Sequence, residues 1–382
     1  MLPKHVKQAM RILEKAGHEV WTVGGCVRDR LRGVTPHDFD LTTSATPKQM
    51  LELFGDYRCI LAGLSHGTVT PIIEHHPVEI TTFRTESGYR DHRRPDTVAF
   101  TRDIREDLAR RDLTVNAMAW HPKRGLCDPF GGAADLKAGI IRAVGEPARR
   151  FDEDALRILR ALRFAVRLGF AIEEQTAQAM NAAAPTLDHI ARERITEELR
   201  EILGSDDCQA VWNDYMPIWR QVLPGVKDIE GADLGAPLDF VLRLVLIGYR
   251  SGADMTGRLC LTKIERKAIA RLTAALDTPM PTDVIGVRRL VAAQGAEDAD
   301  ALLRLWHALG RNVEQLGVWL CECVERGDCM SIEQLAVSGA DVEAPPAQIG
   351  AILRTVLDAV VSEQVPNERD ALIYFIKSDI LK

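Results

Sequence analysis

An α+β fold is predicted for this chain of 382 residues, with strands confined to the first part and helices alone beyond it. Short β-like runs ending in glycine or turn residues occur before about residue 145 and then fade. From there apolar residues recur at helical spacing to the end of the chain. The length exceeds one ordinary hydrophobic core, so more than one domain is expected.

In chain order, residues 3–17 read as a helix, with Pro3 in the first turn and Gly17 past the end. "EVWTVGG" is a strand ending in glycine, "CVRDRLRG" a short helix and "DFDLTT" a second strand. "GTVTPIIEHHPVEITTFR" reads as two strands around a turn near His75 to Pro77. The following "TTFRTESGYRDHRRPDTVAF" lacks periodicity and reads as a flexible loop. After "IIRAVG" (140–145), Ala155, Ile158, Leu159, Leu162 and Ala165 form one stripe of a long helix over about 152–168. Later helices are broken by "GSDD", "EGADLGAP", "TPMPTD" and "VEAPPA". These breaks predict a head over 1–139, a helical neck over 140–203, a helical body over 204–277 and a helical tail over 278–382.

No apolar run reaches the roughly 18 residues that span a bilayer, and the N-terminus is an amphipathic helix pattern instead of a signal peptide, so a cytoplasmic location is expected. The eight cysteines are scattered and read as reduced thiols. "CECVERGDC" (321–329) holds three of them without a fourth ligand nearby, against a zinc site. The formal net charge is −7, but it is unevenly spread. Residues 1–203 carry 30 Lys+Arg against 29 Asp+Glu, while residues 204–382 carry 18 against 26. Eight arginines fall within 84–111 and seven within 142–167, which points to a local phosphate-binding surface or, equally, to salt-bridged helices.

The densest chemistry lies in "GGCVRDRLRGVTPHDFDL" (24–41). Two carboxylates one residue apart on a strand share a face, so Asp38 and Asp40 would repel unless they share divalent cations. Mg²⁺ suits such a site, since it takes a few carboxylates plus water and substrate phosphates. Upstream glycines let the backbone approach a polyphosphate, and a helix opening at Cys26 aims N–H groups at it. Alone, Asp-x-Asp also fits sugar-nucleotide transferases. His37-Asp38 matches the core of a metal phosphohydrolase motif, but the other clustered histidines are missing.

With four further segments the pattern resembles the class II branch of the tRNA nucleotidyltransferase and bacterial poly(A) polymerase family, on the DNA polymerase beta-like nucleotidyltransferase fold. The segments are "RRDLTVNAM" (110–118), "DPFGGAADL" (128–136), "EDALR" (153–157) and "RITEELREIL" (194–203). The resemblance implies two Mg²⁺ ions at Asp38 and Asp40, with Glu79 the candidate third carboxylate or else a plain strand-surface residue. It implies Gly24, Gly25 and Arg28 at the triphosphate and Arg111, Asp112 and Asn116 around the nucleotide, Asn116 near the ribose. Asp112 also reads as a helix cap.

The resemblance assigns base selection to Asp154 and Arg157, three apart on one helix face. An intrahelical ion pair is the bland alternative. Cytosine and adenine each present an amino donor beside a ring-nitrogen acceptor, which an accepting carboxylate and a donating guanidinium complement and which uracil and guanine do not offer. Glu153 is placed to position Arg157. Arg160, Arg163 and Arg167 continue near the same side, toward the nucleotide and RNA phosphates or else solvated or paired.

The implied activity is addition of CCA from CTP and ATP to the tRNA 3′ end, with the acceptor arm and the helical tail in contact and no obligatory protein partner. The loop after the first motif is complete, and "GLSHGTV" (63–69) stands where poly(A) polymerases resemble "GRRFR". An A-adding enzyme, a poly(A) polymerase and a catalytically silent helical RNA-binding protein are the other readings.

Overall fold

The computed structural model describes residues 2–89, 95–227 and 232–381. By internal packing the chain forms two compact units, one of residues 1–224 with 258–260 and one of residues 225–257 with 261–382. The expected boundaries at 140 and 204 fall inside the first unit and that at 278 inside the second.

In the first unit, helix α1 (Lys4–Lys15) precedes β1 (Val20–Val23), α2 (Gly25–Leu31), β2 (Asp40–Thr43) and α3 (Pro47–Leu53). Strands β3 (Cys59–Ile60), β4 (Thr68–Ile73), β5 (His76–Pro77) and β6 (Ile80–Thr82) follow. Among the described residues they join β9 (Ala119–His121) and β10 (Gly125–Cys127) in one mixed sheet of order β10-β9-β1-β2-β6-β4-β3, with β5 paired to β4. Every residue of β1 is buried, as a strand covered on both faces must be. One face packs Val6, Met10, Leu13, Leu41, Met50 and Ile80 into a core. The other gathers Trp21, Val23, Phe83, Ile104 and Leu108, the last two from α4 (Ile104–Ala109). This second face also carries the charged residues described below, because Asp40 and Thr42 alternate with Leu41 along β2.

The segment read as a flexible loop is instead largely a hairpin. Strands β7 (Arg84–Tyr89) and β8 (Pro95–Phe100) pair antiparallel from Arg84 opposite Phe100 to Tyr89 opposite Pro95; residues 90–94 lie outside the described set. Its base is tied by charge, with Glu86 bound to Arg84 at 2.9 Å and to Arg110 at 3.1 Å, so the apolar alternation that flags a strand is missing.

Beyond α5 (Gly132–Ala138) and β11 (Ile140–Ile141), the long helix expected over about 152–168 begins later, as α7 (Leu156–Leu168), and a separate helix α6 (Pro147–Glu153) precedes it. They break at Asp154, extended at φ −145° and ψ 103°, whose carboxylate accepts from the Leu156 N–H at 3.1 Å. A carboxylate that caps the backbone two residues on ends one helix and starts the next. The two-residue strand β12 (Ala171–Ile172) pairs parallel with β11, a strand in a region expected to be all helix. Helices α8 (Glu174–Ala183), α9 (Arg192–Leu203) and α10 (Met216–Val222) complete this unit.

The second unit is helical among the described residues: α11 (Phe240–Ser251), α12 (Lys263–Ala275), α13 (Val284–Gln294), α14 (Ala296–Ala308), α15 (Glu314–Arg326), α16 (Pro346–Val361) and α17 (Arg369–Phe375). Thr262 opens α12 with a reciprocal cap to Glu265, and Val356, Leu357, Leu372 and Ile376 sit in one of its cores. No described helix is long and apolar enough to cross a membrane.

Candidate active site

A cavity of about 710 Å³ opens in the first unit, and six arginines and four carboxylates line it. Arg84, Arg110, Arg111, Arg157, Arg160 and Arg194 face Asp40, Glu79, Asp112 and Asp154, a formal excess of two positive charges. Such a surface suits a polyanion that also carries a group to be read by hydrogen bonds.

The sheet builds one end. In the parallel pairing of β2 with β6, Leu41 lies opposite Ile80 and the Leu41 N–H donates to the Glu79 carbonyl at 2.9 Å. Asp40 and Glu79, one residue earlier on each chain, therefore stand side by side. Burial raises the pKa of Asp40, opposed by nearby Arg111 and reinforced by Asp38; burial and Asp40 together raise that of Glu79. Asp38 precedes β2 instead of sharing it and lines a second cavity of about 560 Å³ with His5, Arg30, His37 and His76. The strand-alternation argument for the two aspartates thus holds for Asp40 alone. Among the described residues no trio of His, Cys, Asp or Glu gathers closely enough to hold a metal by protein ligands alone.

The glycines and Arg28 support this end from behind. Gly24 has φ +71°, and a Cβ there would come within 3.0 Å of Arg111 Nη1, so glycine permits both the turn and the close approach. Arg28 is buried. Its Nη1 donates to the Asn116 side chain at 2.8 Å and its Nε to Asp29 at 2.9 Å. Gly24, Gly25, Arg28 and Asn116 therefore sit behind the wall, and Arg28 orients Asn116.

Helices α6, α7 and α9 build the other end. Arg157 donates through Nη1 to Glu153 at 2.8 Å and to the Arg150 carbonyl at 3.0 Å, and through Nη2 to the Arg110 carbonyl at 3.1 Å. Asp154 pairs with Arg194 at 3.4 Å. The expected intrahelical alternative, an Asp154–Arg157 pair, is not what forms: each has its own partner and both face the cavity. Arg160 binds Asp112 through Nε at 2.7 Å and Nη2 at 2.6 Å. Burial alone would raise the Asp112 pKa, but the Arg160 charge and hydrogen bond, with Arg157 and the Leu113 N–H, hold it at about 2. The Leu113 N–H donates to Asp112 at 2.8 Å, but the short helix that follows, Thr114–Asn116, has Leu113 at its N-cap and no side-chain cap, so Asp112 is not the helix cap that was expected and its carboxylate serves the cavity wall. Arg163 is occupied by Glu198 at 2.7 Å, and Arg167 is exposed.

Four residues that sequence reasoning missed belong here. Arg194 opens one of the quoted segments. Arg110 opens another and Arg84 lies within the segment read as a loop, where it also donates to the His66 carbonyl. Asp107 lies three and four residues before Arg110 and Arg111, a spacing that announces acid–base contacts on a helix.

Comparison with known proteins agrees with this geometry. A family model described as the Poly A polymerase head domain matches residues 20–142, and one described as a probable RNA and SrmB-binding site of polymerase A matches residues 169–216. The CCA-adding enzyme of Lactiplantibacillus plantarum is 36% identical over 395 residues, covering 97% of this chain and 95% of that one. That of Limosilactobacillus fermentum is 48% identical over 205 residues, 53% of this chain and 51% of that one. The crystal structure of the Bacillus stearothermophilus CCA-adding enzyme in complex with CTP superposes with a TM-score of 0.80 at 30% identity, covering 99% of this chain and 98% of that chain. With similarity running the length of both chains, this protein belongs to the CCA-adding enzyme family.

Proposed function

We infer that this chain adds C, C and A to the 3′ end of tRNA from CTP and ATP without a nucleic-acid template. The observation that carries the inference is that one cavity joins Asp40 at one end to Asp154 and Arg157 at the other. A nucleoside triphosphate spanning it has its phosphates at the carboxylate end and its base edge at the other.

Three of the five Arg157 N–H donors are taken by Glu153, Arg150 and Arg110. Nε and one Nη2 hydrogen remain to donate to a ring nitrogen. Asp154 accepts from Leu156 and Arg194 and keeps further lone pairs for an exocyclic amino group. Cytosine and adenine satisfy both residues, whereas uracil and guanine leave polar groups unpaired at about 1–3 kcal/mol each. Arg111 faces the triphosphate, while Gly24, Gly25, Arg28 and Asn116 act from behind the wall, Gly24 by leaving room for the Arg111 guanidinium and Arg28 by holding Asn116. Arg160 fixes Asp112 in the wall between the two ends.

The donor set fits Mg²⁺: hard carboxylate oxygens, with burial and then the nearby Asp38 charge raising the Asp40 pKa, and with room left for phosphate and water. Asp38 and Asp40 would hold it together with phosphate and water, and Glu79, just before β6 and beside Asp40, is the candidate third carboxylate. When bound, Mg²⁺ lowers the pKa of the attacking 3′-hydroxyl and neutralises the triphosphate. The protein's own part is to align that hydroxyl with the α-phosphate and to hold the base. In this reading 1–139 form the catalytic head, 140–203 the neck with the base-reading residues, and 204–277 and 278–382 the body and tRNA-binding tail.

The test is incubation of the protein with tRNA lacking its 3′ CCA, Mg²⁺ and single labelled nucleotides. Growth by two cytidines with CTP, and by one adenosine more when ATP is added, is expected. Adenosine added only to a tRNA already ending in CC indicates an A-adding enzyme, and long adenosine tracts a poly(A) polymerase. No transfer with intact RNA binding would indicate a silent head.

A further inference from the structure

Behind the arginine wall lies a carboxylate that the proposed reaction does not touch. Asp107 has no exposed surface. Its Oδ1 accepts from Arg110 Nε at 3.0 Å and Nη2 at 2.9 Å, and its Oδ2 pairs with Arg111 at 3.7 Å. The Arg84 backbone N–H also donates to Oδ1 at 3.3 Å, and the Thr42 hydroxyl, which donates to the Thr81 carbonyl at 3.0 Å, lies 3.5 Å from Oδ2. Thr42 lies two residues from Asp40 on the same face of β2.

The two arginines lead to different ends of the cavity. Arg111 stands beside Asp40, close enough that their charges interact. The backbone carbonyl of Arg110 accepts from Arg157 at 3.1 Å, so the residue whose side chain Asp107 grips also supplies, through its main chain, one of the points that hold Arg157. A buried carboxylate gripping both arginines restricts both side chains.

We propose that Asp107 is a positioning residue for both ends of the bound nucleotide: it holds Arg111 at the triphosphate and, through Arg110, orients Arg157 at the base. The inference rests on the functional reading above and adds a residue that acts without touching substrate.

The experiment compares the full-length wild type with Asp107→Asn on tRNA lacking CCA, measuring the KM for CTP, kcat, the preference for CTP over UTP, and thermal unfolding. Asparagine keeps the shape and one acceptor but loses the charge shared by the two arginines. The KM for CTP is expected to rise about tenfold and the preference to fall by about threefold to tenfold, with kcat at saturating CTP within about threefold of wild type. A purely structural role would lower the melting temperature and the active fraction, leaving KM and preference unchanged; that result in a folded variant overturns the proposal.

Arg110→Lys keeps the charge and the carbonyl while losing the two-nitrogen grip on Asp107, and serves should Asp107→Asn fail to fold. Its preference is expected to fall about threefold with an unchanged KM for CTP, and an unchanged preference overturns the proposal as well. A wild type that transfers no cytidine defeats the functional reading and this inference with it, whereas an active wild type matched by both variants defeats this inference alone.

Discussion

The two ends of the cavity are charged in opposite styles. At the sheet end, Asp40 and Glu79, with Asp38 just outside the cavity, form no salt bridge with any described residue, and burial and mutual repulsion raise the pKa values of Asp40 and Glu79. At the helical end acid and base interleave, with Glu153 on Arg157, Asp154 on Arg194, Asp112 on Arg160 and Glu198 on Arg163. The first arrangement leaves its carboxylates without an ion pair, which suits the cation of the proposed mechanism. The second is fixed before any nucleotide arrives, so in the proposed reading its hydrogen-bonding pattern would select a base without the cost of rearrangement.

The largest test of this contrast removes a carboxylate from the unpaired end. Asp40→Ala or Asp38→Ala is expected to reduce transfer to below about 1% of wild type, because metal ligands act on the chemical step. Thermal stability should hold or rise slightly, since like charges are relieved. Retention of more than a few per cent of turnover in single-turnover assays would remove either residue from the metal site.

At the paired end the effect should fall on choice of base. Asp154→Ala removes the acceptor for the amino group and is expected to lose about one to two orders of magnitude of selectivity against UTP. Competition between CTP and UTP on a tRNA one nucleotide short measures it. Unchanged selectivity with normal turnover would reduce Asp154 to a helix cap with a salt bridge to Arg194.

The same contrast explains what was legible in the sequence. Asp40 was found through a short motif, and the strands around it through apolar alternation, because β1, β2, β4 and β6 bury one or both faces. The hairpin β7–β8 was missed because Glu86 is bound to arginines instead of an apolar core. The break at Asp154 was hidden because apolar residues continue at helical spacing from α6 into α7, while the break depends on one side chain capping Leu156. Arg194 lies 40 residues from Asp154 in sequence, a distance over which residue spacing carries no information about contact. Asp107 is the opposite case, since its acid–base spacing to Arg110 and Arg111 was in plain view but gave no hint of the complete burial that makes it unusual.

Asp112 tests whether pairing at the helical end contributes to stability. Its folded pKa of about 2 lies below the ordinary value, so its contribution is complete above about pH 4 and is lost as pH falls toward 2. Arg160→Ala removes the closest cation from that buried carboxylate, leaving only Arg157 and the Leu113 N–H to favour its charge, and is expected to cost about 2 kcal/mol at pH 7, with the difference from wild type shrinking as pH drops through that window. Urea unfolding at several pH values decides. An equal loss at pH 7 and near pH 2 would mean that Arg160 stabilises by packing alone.

The smallest perturbation asks how separable the two ends are. Gly24 occupies φ +71° and ψ −130°, a conformation that costs an L side chain about 1–3 kcal/mol. An alanine Cβ there would also meet Arg111 Nη1 at 3.0 Å. That atom is the far end of a flexible side chain, so the guanidinium would yield before the backbone and shift relative to Asp40. Arg110, whose carbonyl supports Arg157, is not in the path of the new methyl group. Gly24→Ala is therefore expected to raise the KM for CTP and for ATP alike, by about threefold to tenfold, with selectivity between CTP and UTP unchanged. Steady-state kinetics with each nucleotide measures the first effect and the CTP–UTP competition the second. A drop in selectivity as large as the rise in KM would show that motion of Arg111 reaches the base end through Asp107 and Arg110, and that the two ends work as one charged lattice.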